Sequence, residues 1–368
     1  MKRVTQLMVL VAVAACDAPG RTAAPPVPST ERIGRADVVV HEGGSIQAAV
    51  EAAGPGTVIR IEPGTYAEAI HISVPGLALV GQRRPDGRGV VIENPGGEDN
   101  GISVDPGGDR FVLLNVTVRG FAENGVLLRG VDGFLLSDIT AQDNGEYGLF
   151  PVHSSNGLIE RCRASGHNDT GIYVGQSHDV TVRHSVAFAN VNGIEFENSQ
   201  RVQGVANETY DNVVGILVVV LPGLDVKTTS DVLVARNRVH DNNHPNFAPP
   251  GDLASFVPSG SGILIVGADR ATVEGNTVSG NQFTGIAVGS TLLLGALAGL
   301  PPEAFADIEP NPDRVVIRNN RVMGNGTASP IPFLPAVDLL WDGSGVGNCW
   351  GRNRFITSFP DALPACAR

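Results

Sequence analysis

Residues 170–197 read TGIYVGQSHDVTVRHSVAFANVNGIEFE, and this stretch contains the pattern that decides the fold. A glycine is followed by an aliphatic residue, any residue and a second apolar residue, first at Gly171 and again at Gly193. A segment of alternating polarity, DVTVRHSV, lies between the two copies. Short alternating segments rich in Val and Ile, punctuated by Gly and Asn, are typical of β-strands.

The glycine-led motif recurs along most of the chain. The first five steps between copies are 22 to 24 residues long, and two later steps are widened to 47 and 53 residues. About 23 residues suit three short strands and three turns, which is one coil of a parallel β-helix. The copies begin at Gly101, Gly125, Gly148, Gly171, Gly193, Gly215, Gly262, Gly285 and, in degenerate form, Asp338.

The predicted fold class is therefore all-β: a single-stranded right-handed parallel β-helix of about 10–11 coils. No single coil can bury its own apolar face, so Val and Ile must stack inward from coil to coil. The spacing of the motif places Ile172, Ile194 and Ile216 in one inward-facing column. Asn residues that close the coils are expected to form a structural ladder. These are Asn144, Asn168, Asn190, Asn212, Asn242, Asn281 and Asn325.

The two ends of such a stack need protection, because open coils expose unpaired strand edges. Ser45 is expected to cap a short helix in SIQAAVEAAG that covers the first coil. Cys349 and Cys366 can pair in an oxidising compartment and close the other end. Cys162 lies in a strand-like segment and is interpreted as a packed structural cysteine.

The N-terminus predicts export. Lys2 and Arg3 precede a short apolar run that ends in VAAC, which resembles a bacterial lipobox with Cys16 as the lipidated residue. The alternative is an ordinary signal peptide with a chance cysteine. We expect a lipoprotein signal peptide at 1–16, a flexible tether at 17–36 and the β-helix domain at 37–368. The expected location is the bacterial cell envelope, with the membrane contacted through the lipid anchor.

Charge excludes one class of partner. The formal net charge is −12, and Lys227 is the one lysine after the leader. General nucleic-acid binding needs clustered cations, so no nucleic-acid partner is expected. We expect a monomer that binds a polysaccharide or an oligosaccharide.

The outer face is the place to look for a site, because a packed β-helix interior has no pocket. If the residue after each glycine points inward, the third and fifth residues of the motif point outward. Glu195 and Glu197 then lie about 6.6 Å apart along one strand. Two like charges at this spacing raise one pKa, which suits an acid–base pair or an inverting glycoside hydrolase.

Two other interpretations of this pair stay open. The carboxylates can be ordinary solvated side chains, or they can contribute to a Ca²⁺ site, which needs six to eight oxygens. No cofactor is otherwise predicted, and no metal ligand is assigned.

Candidate residues surround the pair on the outer face of the third to fifth coils. His153 joins Glu195 and Glu197 as a catalytic candidate, while Arg129 is expected to pair with a uronate or sulfate. The full set of substrate-binding candidates is Arg129, Phe150, Tyr173, Gln176, His178 and Asn198, with Phe150 and Tyr173 stacking on sugar rings.

Two long loop insertions explain the two widened steps. They are expected at roughly 219–258 and 290–313, leaving the stack after the same strand and rising on the same side. Exposed apolar positions need a cover, so the insertions should fold over the apolar end of the outer face. The covered residues would be Leu217, Val219, Leu264 and Val266.

The mature chain resembles the bacterial right-handed parallel β-helix superfamily that includes pectate lyases, pectin esterases and mannuronan epimerases. It also resembles an uncharacterised family of single-domain β-helix envelope proteins. The stretches that carry this second resemblance are EYGLFPVHSSNGLIERC at 146–162, TGIYVGQS at 170–177, NGIEFENS at 192–199 and NNHPNFAPPGDLASFVPSGSGILI at 242–265. The resemblance implies the fold and does not name a reaction.

The epimerase motif is only partly present. Mannuronan epimerases carry Tyr-Gly-any-Asp-Pro-His, and the Tyr, Gly and Pro are matched here in the segment 147–152. Phe150 and Val152 occupy the acid and histidine positions, and His153 follows one place later. Asn192 stands where a further histidine is expected. A standard epimerase is therefore not predicted.

The resulting hypothesis is an exported β-helix lipoprotein that binds, and in one version modifies, an extended acidic polysaccharide on its outer face. The sequence leaves open whether it is an enzyme; the candidate activities are polysaccharide lyase, glycoside hydrolase and epimerase-like. The alternative is a non-catalytic envelope scaffold or accessory protein that binds a protein partner through its loop insertions.

Overall fold

The computed structural model describes residues 36–367, and these form a right-handed parallel β-helix with three sheets. The predictions for the signal peptide, for Cys16 and for most of the tether lie outside the described residues. Each complete coil contributes one strand to each sheet, and every strand pairs in parallel with the strand one coil away. No helix among residues 36–367 combines the length and apolar character needed to cross a bilayer.

The three sheets are named A, B and C in the order in which a coil visits them. Sheet A has twelve strands: Val38–Val40, Val58–Ile61, Ala78–Gly81, Phe111–Leu114, Asp132–Ser137, Ser155–Glu160, His178–Arg183, Gln203–Val205, Leu233–Ala235, Thr272–Glu274, Val316–Arg318 and Cys349–Gly351. Sheet B has ten: Gly64–Ala67, Val90–Glu93, Val116–Arg119, Thr140–Gln142, Arg163–Ser165, Val186–Phe188, Glu208–Tyr210, Arg238–His240, Thr277–Ser279 and Arg321–Val322. Sheet C, which carries the glycine-led motif, has eleven: Ile70–Ile72, Asn100–Val104, Asn124–Arg129, Tyr147–Val152, Thr170–Gly175, Asn192–Glu197, Val214–Val219, Ser261–Val266, Thr284–Gly289, Val337–Trp341 and Ser358–Phe359.

The core is the stack of inward Val, Ile, Leu and Phe side chains. Ile172 pairs with Ile194 and Ile194 with Ile216, and all three are fully buried, which confirms the predicted inward column. Burying one such side chain contributes about 1.5–3 kcal/mol. Because the column is in register, the outward positions of sheet C are fixed as well.

A buried asparagine ladder runs beside this core. The amide of Asn190 donates to Asn212 at 3.1 Å, and Asn212 donates to Asn242 at 2.8 Å. The prediction for Asn168 was wrong: it is exposed, and the buried His167 takes its place, with Nδ1 2.8 Å from Oδ1 of Asn190. The reason is coil length, because position 167 lies one 23-residue coil from both neighbours in the ladder.

A second ladder was missed by the sequence analysis. Its members lie at another corner of the coil and donate side-chain amides in the same way. They are Asn207, Asn237, Asn276, Asn320 and Asn353.

Both ends of the stack are closed. Helix Ile46–Glu51 covers the first coil, and the Ser45 hydroxyl accepts from the amide of Ala48 at 3.1 Å. Cys349 and Cys366 form a disulfide at the other end. Cys162 is buried in the core, and burial raises the pKa of its thiol to about 12, so it is a packed structural cysteine.

The first predicted insertion, 219–258, is in fact two loops. Strands Leu233–Ala235 and Arg238–His240 lie inside that range and continue sheets A and B. Loop 1 (220–229) therefore follows a strand of sheet C, whereas loop 2 (241–260) precedes the next one and includes a 3-10 turn at Leu253–Phe256. The prediction that the insertions leave after the same strand holds for loop 1 and for the second insertion, which both follow a strand of sheet C, and fails for loop 2, which follows a strand of sheet B.

Loop 3 is the second predicted insertion, 290–313. It holds helix Thr291–Leu297 and a 3-10 turn at Pro302–Phe305. Leu217, Val219 and Leu264 are buried in one apolar cluster with residues of loop 2, and Leu294 of loop 3 packs against that cluster. The expectation that the loops cover the apolar end of sheet C is confirmed.

Candidate active site: an acidic cavity on sheet C

A cavity of about 290 Å³ lies where the three loops meet the outer face of sheet C. Its floor is polar and comes from three successive strands, while its walls are mostly apolar side chains of the loops. We call it the acidic cavity. Its polar lining residues are Tyr147, Asp169, Asn192, Glu195, Glu197 and Asp252.

Register on sheet C brings the carboxylates to this floor. Glu195 and Glu197 are the outward residues of their strand and pair with Tyr173 and Gly175 on the preceding coil. The Tyr173 hydroxyl donates to Oε1 of Glu197 at 2.7 Å. Gly175 makes room for this phenol, since a Cβ there would lie 2.0 Å from the Tyr173 oxygen.

Thr170 joins two acids through one hydroxyl. Its Oγ1 lies 3.0 Å from Oδ1 of Asp169 and 2.5 Å from Oε2 of Glu195. A hydroxyl has a single proton and can donate to only one of them. The other contact fits a protonated carboxyl group that donates to Thr170, and the raised pKa values of Asp169 and Glu195 favour that state.

Burial acts in the same direction on all three carboxyl groups. Desolvation raises the pKa of Asp169, and desolvation with the charges of Asp169 and Glu197 raises the pKa of Glu195 well above its usual range. Desolvation also raises the pKa of Glu197 to about 7, although the Tyr173 hydrogen bond opposes the rise. No Lys or Arg is among the lining residues.

Two tyrosines serve as neutral donors. The Tyr147 hydroxyl donates to Oδ2 of Asp169 at 2.9 Å, as Tyr173 does to Glu197. Desolvation and the neighbouring acids raise both phenol pKa values, so neither tyrosine is a phenolate at neutral pH. Phe150 stacks on Tyr147 with ring centroids 4.2 Å apart and fixes its ring.

Asn192 connects the two acids from the next coil. Its Nδ2 donates to Oε2 of Glu195 at 3.1 Å and to Oγ1 of Thr170 at 3.3 Å. Its Oδ1 is buried and has no hydrogen-bond partner among the described residues. The same oxygen is unpaired in Asn124, which also precedes a motif glycine but lies outside the cavity, so the unpaired oxygen does not by itself indicate a ligand.

The structure brings together only some of the candidates from the sequence. Glu195, Glu197 and Tyr173 share the acidic cavity, and Phe150 packs against its tyrosines. Tyr173 is 5% exposed, so its ring faces are not free to stack on a sugar. His153 lies on the turn after its strand, with Nε2 3.8 Å from Asp225 of loop 1, and does not line the cavity.

Two other candidates hold loop 1 in place instead of facing the cavity. Asn198 is fully buried and donates to the carbonyl oxygens of Leu221 and Val226, at 2.8 and 2.5 Å. Oε1 of Gln176 accepts from the amide of Asp225 at 2.9 Å. Both side chains bind loop 1, and neither is free to bind a substrate as the sequence analysis expected.

The last two candidates lie away from the cavity. His178 begins a strand of sheet A and contacts Asp179, because the chain turns the corner after Gly175. Arg129 is exposed on sheet C, and three strand pairings separate its position from that of Glu197. Neither residue is part of the candidate site.

Four residues of the site were missing from the sequence-based set: Tyr147, Asp169, Thr170 and Asn192. Three of them directly precede a motif glycine, and Asp169 precedes Thr170. The residue before each glycine is therefore the signal that could have found them.

The acid residues are not arranged as metal ligands. Among residues 36–367, no group of three or more His, Cys, Asp or Glu side chains is placed to hold a metal ion. The cavity instead combines two acids joined by the Thr170 hydroxyl with a third carboxyl group, Glu197, whose pKa is raised to about 7 by burial. This set can donate one proton and accept another, which is the requirement of general acid–base catalysis.

Comparisons with known proteins agree with the fold. The family model described as "Right handed beta helix region" matches residues 76–221. No curated protein gives a significant match.

Solved structures of the same architecture cover most of the chain. The A-module of the Azotobacter vinelandii mannuronan C-5 epimerase AlgE6 has a TM-score of 0.60 at 15% identity, covering 85% of this chain and 92% of that module. The AlgE4 A-module from the same organism has a TM-score of 0.59 at 16% identity, covering 90% and 100%. A DFA-IIIase variant from Arthrobacter chlorophenolicus A6, in complex with DFA-III, has a TM-score of 0.58 at 16% identity, covering 86% and 81%.

At these identities the likeness concerns the fold alone. Together with the three parallel sheets and the matched family region, it identifies the chain as a right-handed parallel β-helix protein.

Proposed function

We propose that this protein is an enzyme that binds a saccharide in the acidic cavity and modifies it by acid–base catalysis. One observation carries the proposal: the Thr170 hydroxyl lies within hydrogen-bond distance of both Asp169 and Glu195, beside a third acid, Glu197, in the same cavity. The fold adds support, because similar structures include mannuronan C-5 epimerases and a DFA-IIIase in complex with DFA-III.

The acids have different roles in this proposal. The Asp169–Glu195 pair keeps its proton at neutral pH and acts as the general acid. Glu197, with a pKa raised to about 7, is ionised in a useful fraction and acts as the general base. Tyr147 and Tyr173 hold the carboxyl groups in position by donating hydrogen bonds.

Cleavage of a glycosidic bond is the reaction that uses both roles. The acid protonates the leaving oxygen while the base removes a proton from a water molecule, whose oxygen bonds to the anomeric carbon. The bond between the anomeric carbon and the leaving oxygen breaks, and the two products together gain the elements of water. The resting protonation states are restored by proton exchange with solvent.

Cavity size favours a short saccharide or a chain end. A volume of about 290 Å³ lies at the lower end of small-molecule sites, which start near roughly 300 Å³. Apolar side chains of the loops enclose it toward the C-terminal coils. An extended polymer on an open outer face, as expected from the sequence, therefore receives less support than a terminal segment.

A screen for binding and turnover tests the proposal. Wild-type protein is compared with Glu195→Gln and Glu197→Gln on neutral, amino and acidic oligosaccharides, with new reducing ends as the readout. Both variants should lose at least about 100-fold in turnover, the usual contribution of acid–base catalysis. Glu208→Gln, a carboxylate on sheet B outside the cavity, is the control and should keep full activity.

The proposal would be abandoned if the wild-type protein neither bound nor converted any saccharide class. The scaffold alternative would then gain. It is less favoured by the structure, because loops 1 and 2 are packed on sheet C and line the cavity.

We also propose that the protein is exported and anchored in the cell envelope through Cys16. The support is the leader sequence alone, with its basic start and its apolar run ending in VAAC. The test is membrane fractionation of the full chain: Cys16→Ala should move the protein to the soluble fraction and abolish incorporation of labelled fatty acid. Unchanged labelling would contradict the proposal.

A further inference from the structure

We infer that the acidic cavity recognises a positively charged saccharide, an amino sugar with a free amine, and not an acidic one. The inference rests on the proposed function, namely that the cavity binds a saccharide. It names the substrate class, and it reverses the preference that Arg129 suggested in the sequence.

The ionisable groups around the cavity are predominantly acidic. Asp169, Glu195 and Glu197 form its floor, Asp252 of loop 2 lies at its wall, and no basic residue lines it. Arg129, the side chain expected to pair with a uronate, lies three strand pairings from Glu197, which is about 14 Å at 4.8 Å per strand. A uronate in the cavity would meet like charges with no cation in reach.

Hydrogen-bond accounting gives the same result. The donors of the cavity are the hydroxyl groups of Tyr147, Tyr173 and Thr170 and the amide of Asn192, and each already contacts a carboxyl group. The carboxyl groups keep oxygens that accept from no described residue, namely Oε1 of Glu195, Oε2 of Glu197 and both side-chain oxygens of Asp252.

An ammonium group fits this surplus of acceptors. It carries three donors and no acceptor, and it brings the charge that the carboxylates lack. A sugar hydroxyl supplies a donor but no charge. A metal ion needs several carboxylates directed at one point, and residues 36–367 contain no such group.

The walls suit the rest of a sugar ring. Leu217 and Val219 of sheet C and Leu221 and Leu253 of loops 1 and 2 provide apolar surface beside the acidic floor. A ring can place its apolar face against these side chains while its amine reaches the carboxylates. A fully hydrated cation would gain nothing from that surface.

Calorimetry with matched oligosaccharides tests the inference. The probes are a short oligomer of 2-amino-2-deoxyglucose, its fully N-acetylated counterpart and an oligouronate, all at pH 7, where part of the free amine is charged and Glu197, with its pKa raised to about 7, is ionised in about half of the molecules. The free-amine oligomer should bind the full chain at least tenfold more tightly than the N-acetylated one, and the oligouronate should not bind. Glu197→Gln keeps the size of the side chain and should remove the tenfold preference; Glu195→Gln should reduce it.

The outcomes separate this inference from the proposed function. If the N-acetylated oligomer or the oligouronate binds as tightly as the free-amine oligomer, the charge inference is overturned while saccharide binding stands. If no oligosaccharide binds, both fail. If Ca²⁺ alone raises the melting temperature of the wild type but not of Glu197→Gln, the cavity is a metal site and the inference is overturned.

Discussion

Two buried polar regions lie on the same coils and differ in their balance of donors and acceptors. In the asparagine ladder, each side-chain oxygen accepts from the preceding coil and each side-chain amide donates to the next one, as Asn190 does to Asn212. In the acidic cavity, Glu195 and Glu197 each keep an oxygen that accepts no hydrogen bond from a described residue.

The difference separates structure from function. Buried polar groups stabilise a protein when they are paired, and they cost stability when they are not. The ladder therefore serves the fold, whereas the cavity retains unpaired acceptors and acids with raised pKa values, which is typical of functional sites. Four changes test this contrast, in order of decreasing effect.

Asn212→Ala should have the largest effect. Oδ1 of Asn212 accepts from both the main-chain and the side-chain amide of Asn190, each at 3.1 Å, and the substitution leaves these buried donors unpaired. We expect a loss of about 3 kcal/mol in the free energy of unfolding, measured by urea titration. Asn168→Ala is the control, because Asn168 is exposed and follows the ladder residue His167 without belonging to the ladder. An equal loss of stability in this variant would contradict the role of the ladder.

Glu197→Gln should change how stability depends on pH. The folded pKa of about 7 lies above the usual value near 4.5, so folding favours the protonated form and stability falls as pH rises between these values. Removing this carboxyl group should abolish roughly 2 to 3 kcal/mol of that loss between pH 5 and pH 8. The measurement is the difference between the wild-type and variant unfolding curves, and parallel pH profiles would refute the shift.

His167→Asn should act in the opposite direction. Burial lowers the pKa of this histidine from 6.5 to about 4, so stability is lost as pH falls through 6.5 because the unfolded chain takes up the proton. Asparagine fits the ladder and does not titrate. At pH 5 the variant should gain about 2 kcal/mol relative to its difference from wild type at pH 7.5. A constant difference would show that His167 is not buried as the neutral form.

Asn198→Ala should have the smallest effect on stability. It removes the contacts that hold Leu221 and Val226 of loop 1. We expect a loss of about 1 kcal/mol, with faster hydrogen exchange confined to loop 1 and weaker saccharide binding. Gln200→Ala, which removes one exposed contact with Thr228, is the control. Unchanged exchange in loop 1 would show that Asn198 does not anchor it.

The fold was predictable because the same strand pattern recurs from coil to coil, whereas the site depends on residues that depart from the repeat. Alternation counted from Ile194 correctly placed Glu195 and Glu197 on the outer face. The same count turns Asn192 inward. Asn192 nevertheless donates to Glu195 and so faces the same side, next to Gly193, where a Cβ would lie 2.5 Å from the Gly215 oxygen.

The other incorrect predictions have a different cause. Asn198 and Gln176 look like free polar residues of a turn, because the loop atoms that they bind lie 23 to 50 positions further along the chain. The division of the first insertion into loops 1 and 2 was hidden because two short strands continue the stack between them. No local pattern reveals a contact made across a loop.

The residues that precede the motif glycines have a wider consequence. Thr170, Asn192 and Val214 occupy the same position on three successive coils, joined by main-chain pairing that is indifferent to their side chains. The spacing between chemical groups on this surface is therefore quantised at about 4.8 Å, the distance between neighbouring strands. A new specificity therefore cannot arise from a shift smaller than one strand spacing. It requires a different residue at the equivalent position of another coil.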